Sequence, residues 1–138
     1  MFKHILLPTD GSPPSEAAVL KGIELAHEHK ASVTGLHVSP RFHNMLEDTR
    51  KEYKRESEAQ AARYLAFVSK AAAESGVACK TRREDSDDVS QTIVDVARER
   101  NCDLIVMSSH GRRGIGALLG SETNRVLVHS RIPVLVWR

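Results

Sequence analysis

Five short strand-like stretches alternate along this chain with four helical ones, and that alternation leaves few folds open. Residues 3–8 (KHILLP), Ala31 to Val38, Val77 to Arg83, Asp103 to Met107 and Ile132 to Trp137 have the length and the apolar or β-branched content of strands. Between them, apolar residues recur at helical spacing. Val19, Leu20, Ile23 and Ala26 mark a helix to about Glu28, Thr49 to Ser75 a long one, and Val89, Ile93, Val96 and Ala97 a third to about Arg100. Ser121 to Ser130 reads as the last. Strand–helix alternation argues for a parallel sheet with helices on both faces, because a parallel return needs a crossover long enough to hold a helix. The sequence therefore predicts a doubly wound α/β domain, and 138 residues are one domain's worth.

Local signals sharpen this outline. Thr9-Asp10-Gly11-Ser12-Pro13-Pro14 breaks the first strand, and Asp10 or Ser12 caps the helix that follows, with proline in its first turn. In the long helix, Ala59, Ala62, Ala66 and Ala73 keep one side thin, Tyr53, Leu65 and Phe67 are the larger anchors, and Gly76 is the C-terminal cap. The third strand is poor in apolar residues and belongs at an edge, with Glu84 to Asp88 as an acidic turn. The fourth is wholly apolar after Asp103, as expected when both faces are covered. In the last helix Val126 and Leu127 point inward.

Composition excludes several function classes. The formal net charge is +2 and no basic stripe stands out, which argues against nucleic acid and against a membrane surface. No apolar run approaches the roughly 18 residues of a spanning helix, and Met1 to Leu7 is too short for a signal peptide, so a cytoplasmic setting is expected. Cys79 and Cys102 form no CxxC and have no clustered His partners, which reads as two partly buried thiols rather than zinc ligands or a disulfide framework. No Ser/His/Asp or Cys/His arrangement for covalent catalysis is recognisable.

The stretch with most chemistry is Ser108 to Ser121, SSHGRRGIGALLGS. It follows the fourth strand, holds Gly111, Gly114, Gly116 and Gly120 with two arginines, and ends where a helix begins. Glycines let backbone N–H groups approach a ligand, and a helix start adds unpaired N–H groups and a positive dipole end. That combination holds phosphate. In doubly wound sheets ligands sit beyond the carboxyl ends of the strands where strand order reverses. If the first and fourth strands are neighbours there, Pro8 to Ser12 meets Ser108 to Ser121. Asp10 then either caps a helix or binds a ribose hydroxyl or divalent ion. Arg112 and Arg113 either reach phosphate oxygens or remain surface charges, and His110 either donates to a phosphate or packs under the loop. GxxxxGK[ST] is absent, and Gly114-Ile-Gly116-Ala-Leu-Leu-Gly120 lacks the later acid that a dinucleotide fold uses for ribose. An oxidoreductase fragment is the weakest reading. Binding is better supported than chemistry.

At this point the chain resembles the universal stress protein family nearly end to end. HILLPTDGS is similar to that family's first strand and turn, DLIVMSSHGRRG to its fourth strand and loop, and GSETNRVLVHSRIPVLVWR to its last helix and strand. Nucleotide-binding members carry G-x2-G-x9-G-[ST]. Gly111 and Gly120 match its second and third glycines, Ser121 its last place, and Ser108 stands at the first.

The resemblance implies strand order 3-2-1-4-5 and ATP, with Mg²⁺ or Mn²⁺, at the junction of the first and fourth strands. It implies that Pro8, Thr9 and Asp10 form one wall, with Asp10 on ribose or metal-linked phosphate. Val38 offers backbone to adenine, and Met107 and Ser108 line the site with His110 and Arg112 beside them. Gly111, Gly120 and Ser121 surround ribose and phosphates. Glu122, in the next helix's first turn, either competes with phosphate or points into solvent. A side chain at position 108 is strained if that position needs φ > 0. The resemblance also implies a dimer through the last strand, which would otherwise leave an apolar edge bare. The function so implied is a cytoplasmic ATP-binding stress protein, with at most slow ATP hydrolysis. The alternative is a dimeric protein-interaction module of the same family that binds no nucleotide.

Overall fold

The computed structural model describes residues 1–41, 45–111 and 119–138. The elements are β1 (His4–Pro8), α1 (Pro13–His29), β2 (Ser32–Ser39), α2 (Glu47–Glu74), β3 (Cys79–Asp85), α3 (Val89–Glu99), β4 (Leu104–Ser108), α4 (Ser121–His129) and β5 (Val134–Trp137). The strands form one parallel sheet of order β3-β2-β1-β4-β5. The predicted doubly wound order is therefore present, and β1 and β4 are neighbours.

Two of the helices, α1 and α3, begin on a capping side chain. Ser12 caps α1 by accepting a hydrogen bond from the Ser15 N–H, and Pro13 and Pro14 occupy the first turn, where no N–H is missed. Asp88 caps α3 by accepting from the Gln91 N–H at 3.1 Å.

The sheet divides the core in two. On one side, Ile5, Leu7, Val33, Leu104 and Val106 pack against Val19, Ile23 and Ala26 of α1 and Val68 and Ala72 of α2. On the other, Leu6, Leu36, Ile105 and Met107 pack against Ile93, Val96 and Ala97 of α3 and Val126 of α4. Burying one such aliphatic side chain is worth about 1.5–3 kcal/mol. All five β4 residues are buried, as its apolar run predicts.

Three expectations need correction. The inward face of α2 is Ser57, Ala61, Leu65, Val68 and Ala72, whereas Ala59, Ala62, Ala66 and Ala73 face solvent. Tyr53 is also exposed. β3 runs two residues later than expected, so Glu84 and Asp85 are strand residues rather than a turn. They are tolerated because Arg82 pairs with Glu84 and Glu99, and Arg83 with Asp85. In α4 Val126 is fully buried but Leu127 is 40% exposed; Thr123 takes the other inward position.

At the far end of the sheet from the glycine loop, Asp103 joins β1 to β4. Its carboxylate accepts from the Lys3 and His4 N–H groups at 2.8 and 3.0 Å. Burial alone would raise the Asp103 pKa, but those backbone donors outweigh it and hold the carboxyl below its ordinary value. Beside it, burial and the Asp103 charge push the Cys102 thiol up to about 11.

Candidate functional site

The strand order brings the two expected loops together. A cavity of about 410 Å³ opens at the C-terminal ends of β1 and β4. That size falls within the usual range for small-molecule sites. Pro8, Thr9 and Asp10 line it from the β1 exit, Met107 and Ser108 from β4, Val38 from β2, and Gly111, Gly120, Ser121 and Glu122 from the glycine loop and α4. Ten of the twelve expected site residues thus share one cavity. His110 does not line it; its ring Nδ1 lies 3.0 Å from the Ser109 hydroxyl. Arg112 lies outside the described residues, as do Arg113, Gly114 and Gly116.

The β1 exit is held by a polar network. The Thr9 N–H donates to the Leu36 carbonyl at 2.9 Å, and His37 Nδ1 donates to the Thr9 carbonyl at 2.8 Å. Asp10 Oδ1 accepts from the Ser12 N–H and the Ser15 hydroxyl, each at 2.9 Å. Asp10 therefore braces the start of α1 although Ser12 is the cap. Its other oxygen faces Gly111, where a Cβ would overlap it. A side chain at residue 111 would require the Asp10 carboxylate or the loop to shift.

The β4 exit is equally fixed. The Ser108 hydroxyl donates to the His110 carbonyl at 2.8 Å, and the Thr123 hydroxyl donates to the Ser108 carbonyl at 2.8 Å. The Ser109 N–H donates to the Trp137 carbonyl at 3.0 Å, and the Gly120 N–H to the Ser109 carbonyl at 2.7 Å. A Cβ at Gly120 would sit 3.1 Å from the His110 Cα. Ser108 is an ordinary strand residue. Among the described residues, the only non-glycine residues with positive φ are Lys30 and Asn101. The expected strain at position 108 does not arise. The motif match also needs correcting: residues 112 to 119 separate Gly111 from Gly120, one fewer than x9 requires.

Three helices present their first turns to the cavity, and two are already satisfied. Ser12 caps α1, and Asp88 caps α3. Glu122 adds to the second, because its Oε2 accepts from the Ser90 N–H at 2.8 Å. Glu122 therefore ties α4 to α3, with its side chain still 41% exposed. The N-cap of α4 is Gly120, which supplies no capping side chain. Among the described residues, no side chain caps the α4 start, which leaves its N–H groups suited to an outside acceptor.

Much of the remaining lining is apolar: Leu36, Val38, Val89, Ile93 and Met107. Val89 and Ile93 read in the sequence only as core positions of an amphipathic helix. Ser15 and Thr123 also line the cavity and were not singled out. Their roles depend on partners distant in sequence, so no local pattern marks them. Among the described residues, no group of three or more His, Cys, Asp or Glu is placed to hold a metal ion. No described helix is long and apolar enough to cross a membrane. A cavity that joins an apolar lining to the start of a helix suits a flat, weakly polar ring that carries an anionic group.

Similarity to known proteins agrees with this geometry. The universal stress protein MJ0531 of Methanocaldococcus jannaschii is 33% identical over 140 residues, which cover 99% of this chain and 82% of that protein. YxiE of Bacillus subtilis, another universal stress protein, is 29% identical over 153 residues spanning both chains completely. The universal stress protein UspA from Lactobacillus plantarum superimposes with a TM-score of 0.84 at 26% identity, over 99% of this chain and 97% of its own. The same fold occurs in a universal stress protein in complex with cAMP (TM-score 0.77, 23% identity, 99% and 97% covered). It occurs again in a universal stress protein family member from Arabidopsis thaliana with AMP bound (TM-score 0.71, 17% identity, 97% and 90% covered). The model of the universal stress protein family matches residues 1–138, and the chain belongs to that family.

Proposed function

We propose that the cavity binds an adenine nucleotide, ATP included, and that the protein serves a stress-response or regulatory role in the cytoplasm without dedicated catalysis. The observation that carries this reading is the start of α4, which no side chain among the described residues caps, in a cavity with a largely apolar lining. An anionic phosphate completes the helix end, and an adenine ring fills the slot between Val38, Val89 and Ile93. Asp10 takes a ribose hydroxyl or a metal-linked phosphate. Gly111, Gly120 and Ser121 enclose ribose and phosphate. Mg²⁺ or Mn²⁺ arrives with the triphosphate. Support comes from family members and fold neighbours bound to cAMP and AMP.

The assembly proposed is a homodimer through β5. Leu135 and Trp137 on this edge strand are 39% and 38% exposed, and an apolar edge of this kind favours pairing with a second copy.

Titration calorimetry with ATP and Mg²⁺ or Mn²⁺ tests the binding. Measurable heat and a thermal shift are expected; neither at millimolar nucleotide overturns it. The rival reading, an interaction module without nucleotide, draws on the carboxylate of Glu122 near the α4 start. Under that reading Ser108→Gly creates ATP binding; under ours it changes little, because Ser108 is unstrained.

A further inference from the structure

We infer that Tyr64 of α2 is a positioning residue for the nucleotide cavity, holding the turn that carries Asp10 through its packing on Gly11 and His37. The inference rests on the adenine-nucleotide reading above and deepens it.

Among the described residues no side chain of α2 lines the cavity. Tyr64 nevertheless reaches the β1 exit. It lies on the helical face of Ser57, Ala61 and Val68, which are buried, and is itself half-buried. α2 is seated closely there: a Cβ at Gly35 of β2 would stand 2.9 Å from Val68 Cγ1, one turn along from Tyr64. From that seat the Tyr64 ring lies against Gly11, where a Cβ would overlap its atoms. The ring also meets His37 edge-on, with centroids 5.1 Å apart and planes at 74°.

Both contacts lead to Asp10. Gly11 follows it in the chain and has a φ of 76°, in the left-handed region. The Gly11 N–H donates to the Thr9 hydroxyl at 3.1 Å. On the other flank, His37 Nδ1 donates to the Thr9 carbonyl at 2.8 Å. The His37–Tyr64 pair thus holds the residues on either side of Asp10. The carboxylate is braced inside the same turn, because Oδ1 accepts from the Ser12 N–H. A flat ring fits this space. A smaller side chain would leave a gap over a glycine, the residue whose backbone moves most freely. A binding group held through a packed neighbour loses its aim when that neighbour goes.

Calorimetry with AMP, and amide exchange on the ligand-free protein, test this in Tyr64→Phe, Tyr64→Leu and Phe67→Leu. Phe67 is also half-buried on α2, packs on the core of that sheet face and lines no part of the cavity. Its variant therefore reports the loss of an α2 ring as such. Tyr64→Leu should weaken AMP about tenfold, whereas Tyr64→Phe, which keeps the ring, and Phe67→Leu should stay within about twofold of wild type. Without ligand, the Ser12 N–H that Asp10 accepts should exchange faster in Tyr64→Leu than in the other two. Equal AMP losses in Tyr64→Leu and Phe67→Leu, no rescue by phenylalanine, or unchanged Ser12 exchange overturns the inference. Wild type separates the two levels of failure. If it binds AMP and the variants match it, only the role of Tyr64 falls; if it binds no adenine nucleotide, the nucleotide reading falls and this role with it.

Discussion

The Gly111 Cα faces the Asp10 carboxylate with no room for a side chain between them. This contact is where the loops after β1 and β4 touch, and it closes one wall of the cavity. Gly111→Ala must push Asp10 off its bonds to Ser12 and Ser15 or move the loop. Either shift should lower nucleotide affinity at least about tenfold while costing about 1–3 kcal/mol of stability. Calorimetry and chemical denaturation on the same samples would show both.

Asp103 holds the starts of β1 and β4 together through two backbone donors. Asp103→Ala should cost about 2 kcal/mol, since hydrogen bonds to a charged group are lost and two N–H groups lose their partner. The folded-state pKa lies below the unfolded value near 3.8. Its contribution is therefore fully present above that unfolded value and is lost as pH falls through the folded pKa. Urea melts from pH 7 to pH 2 should show wild type and Asp103→Asn converging at the acid end.

Ala61 is 1% exposed and its neighbour Ala62 faces solvent. Ala61→Leu should overpack the α2–sheet contact and cost about 1–3 kcal/mol. Ala62→Leu should stay within about 0.5 kcal/mol of wild type. Thermal melts of the pair discriminate the two faces of α2 directly.

Leu135 lies on the β5 edge, 39% exposed. Leu135→Lys should convert the proposed dimer to a monomer in sedimentation equilibrium without unfolding it, because a lysine on an exposed edge blocks pairing. A dimer that persists places the interface elsewhere.

Strand and helix identity were legible because period and length differ sharply between β4, apolar throughout, and α3, where Val89, Ile93, Val96 and Ala97 keep one face. The strand order came from resemblance, since alternation alone does not order a sheet. The face of α2 was misread because alanines lie on both sides of it: Ala61 and Ala72 are buried, Ala62 and Ala73 are not, and a small residue gives little contrast. β3 was misplaced because Val77, buried ahead of the strand, supplied the local apolar signal, while Glu84 and Asp85 were made acceptable by arginine partners. At the site, the glycines and Asp10 were visible as a motif. The Glu122–Ser90 tie was not, because its ends are 32 residues apart and no periodicity connects them.

The bond from the Ser109 N–H to the Trp137 carbonyl bears on the order of events during synthesis. β4 and the glycine loop emerge from the ribosome well before β5. Until Trp137 follows, the first residue after β4 lacks one of its anchors, and β4 lacks its outer neighbour. The earlier strands and helices can collapse as they appear. The β4 exit is therefore among the last parts of the protein to be anchored, and a nascent chain halted before residue 137 would lack the backbone bond that holds Ser109 at the edge of the cavity.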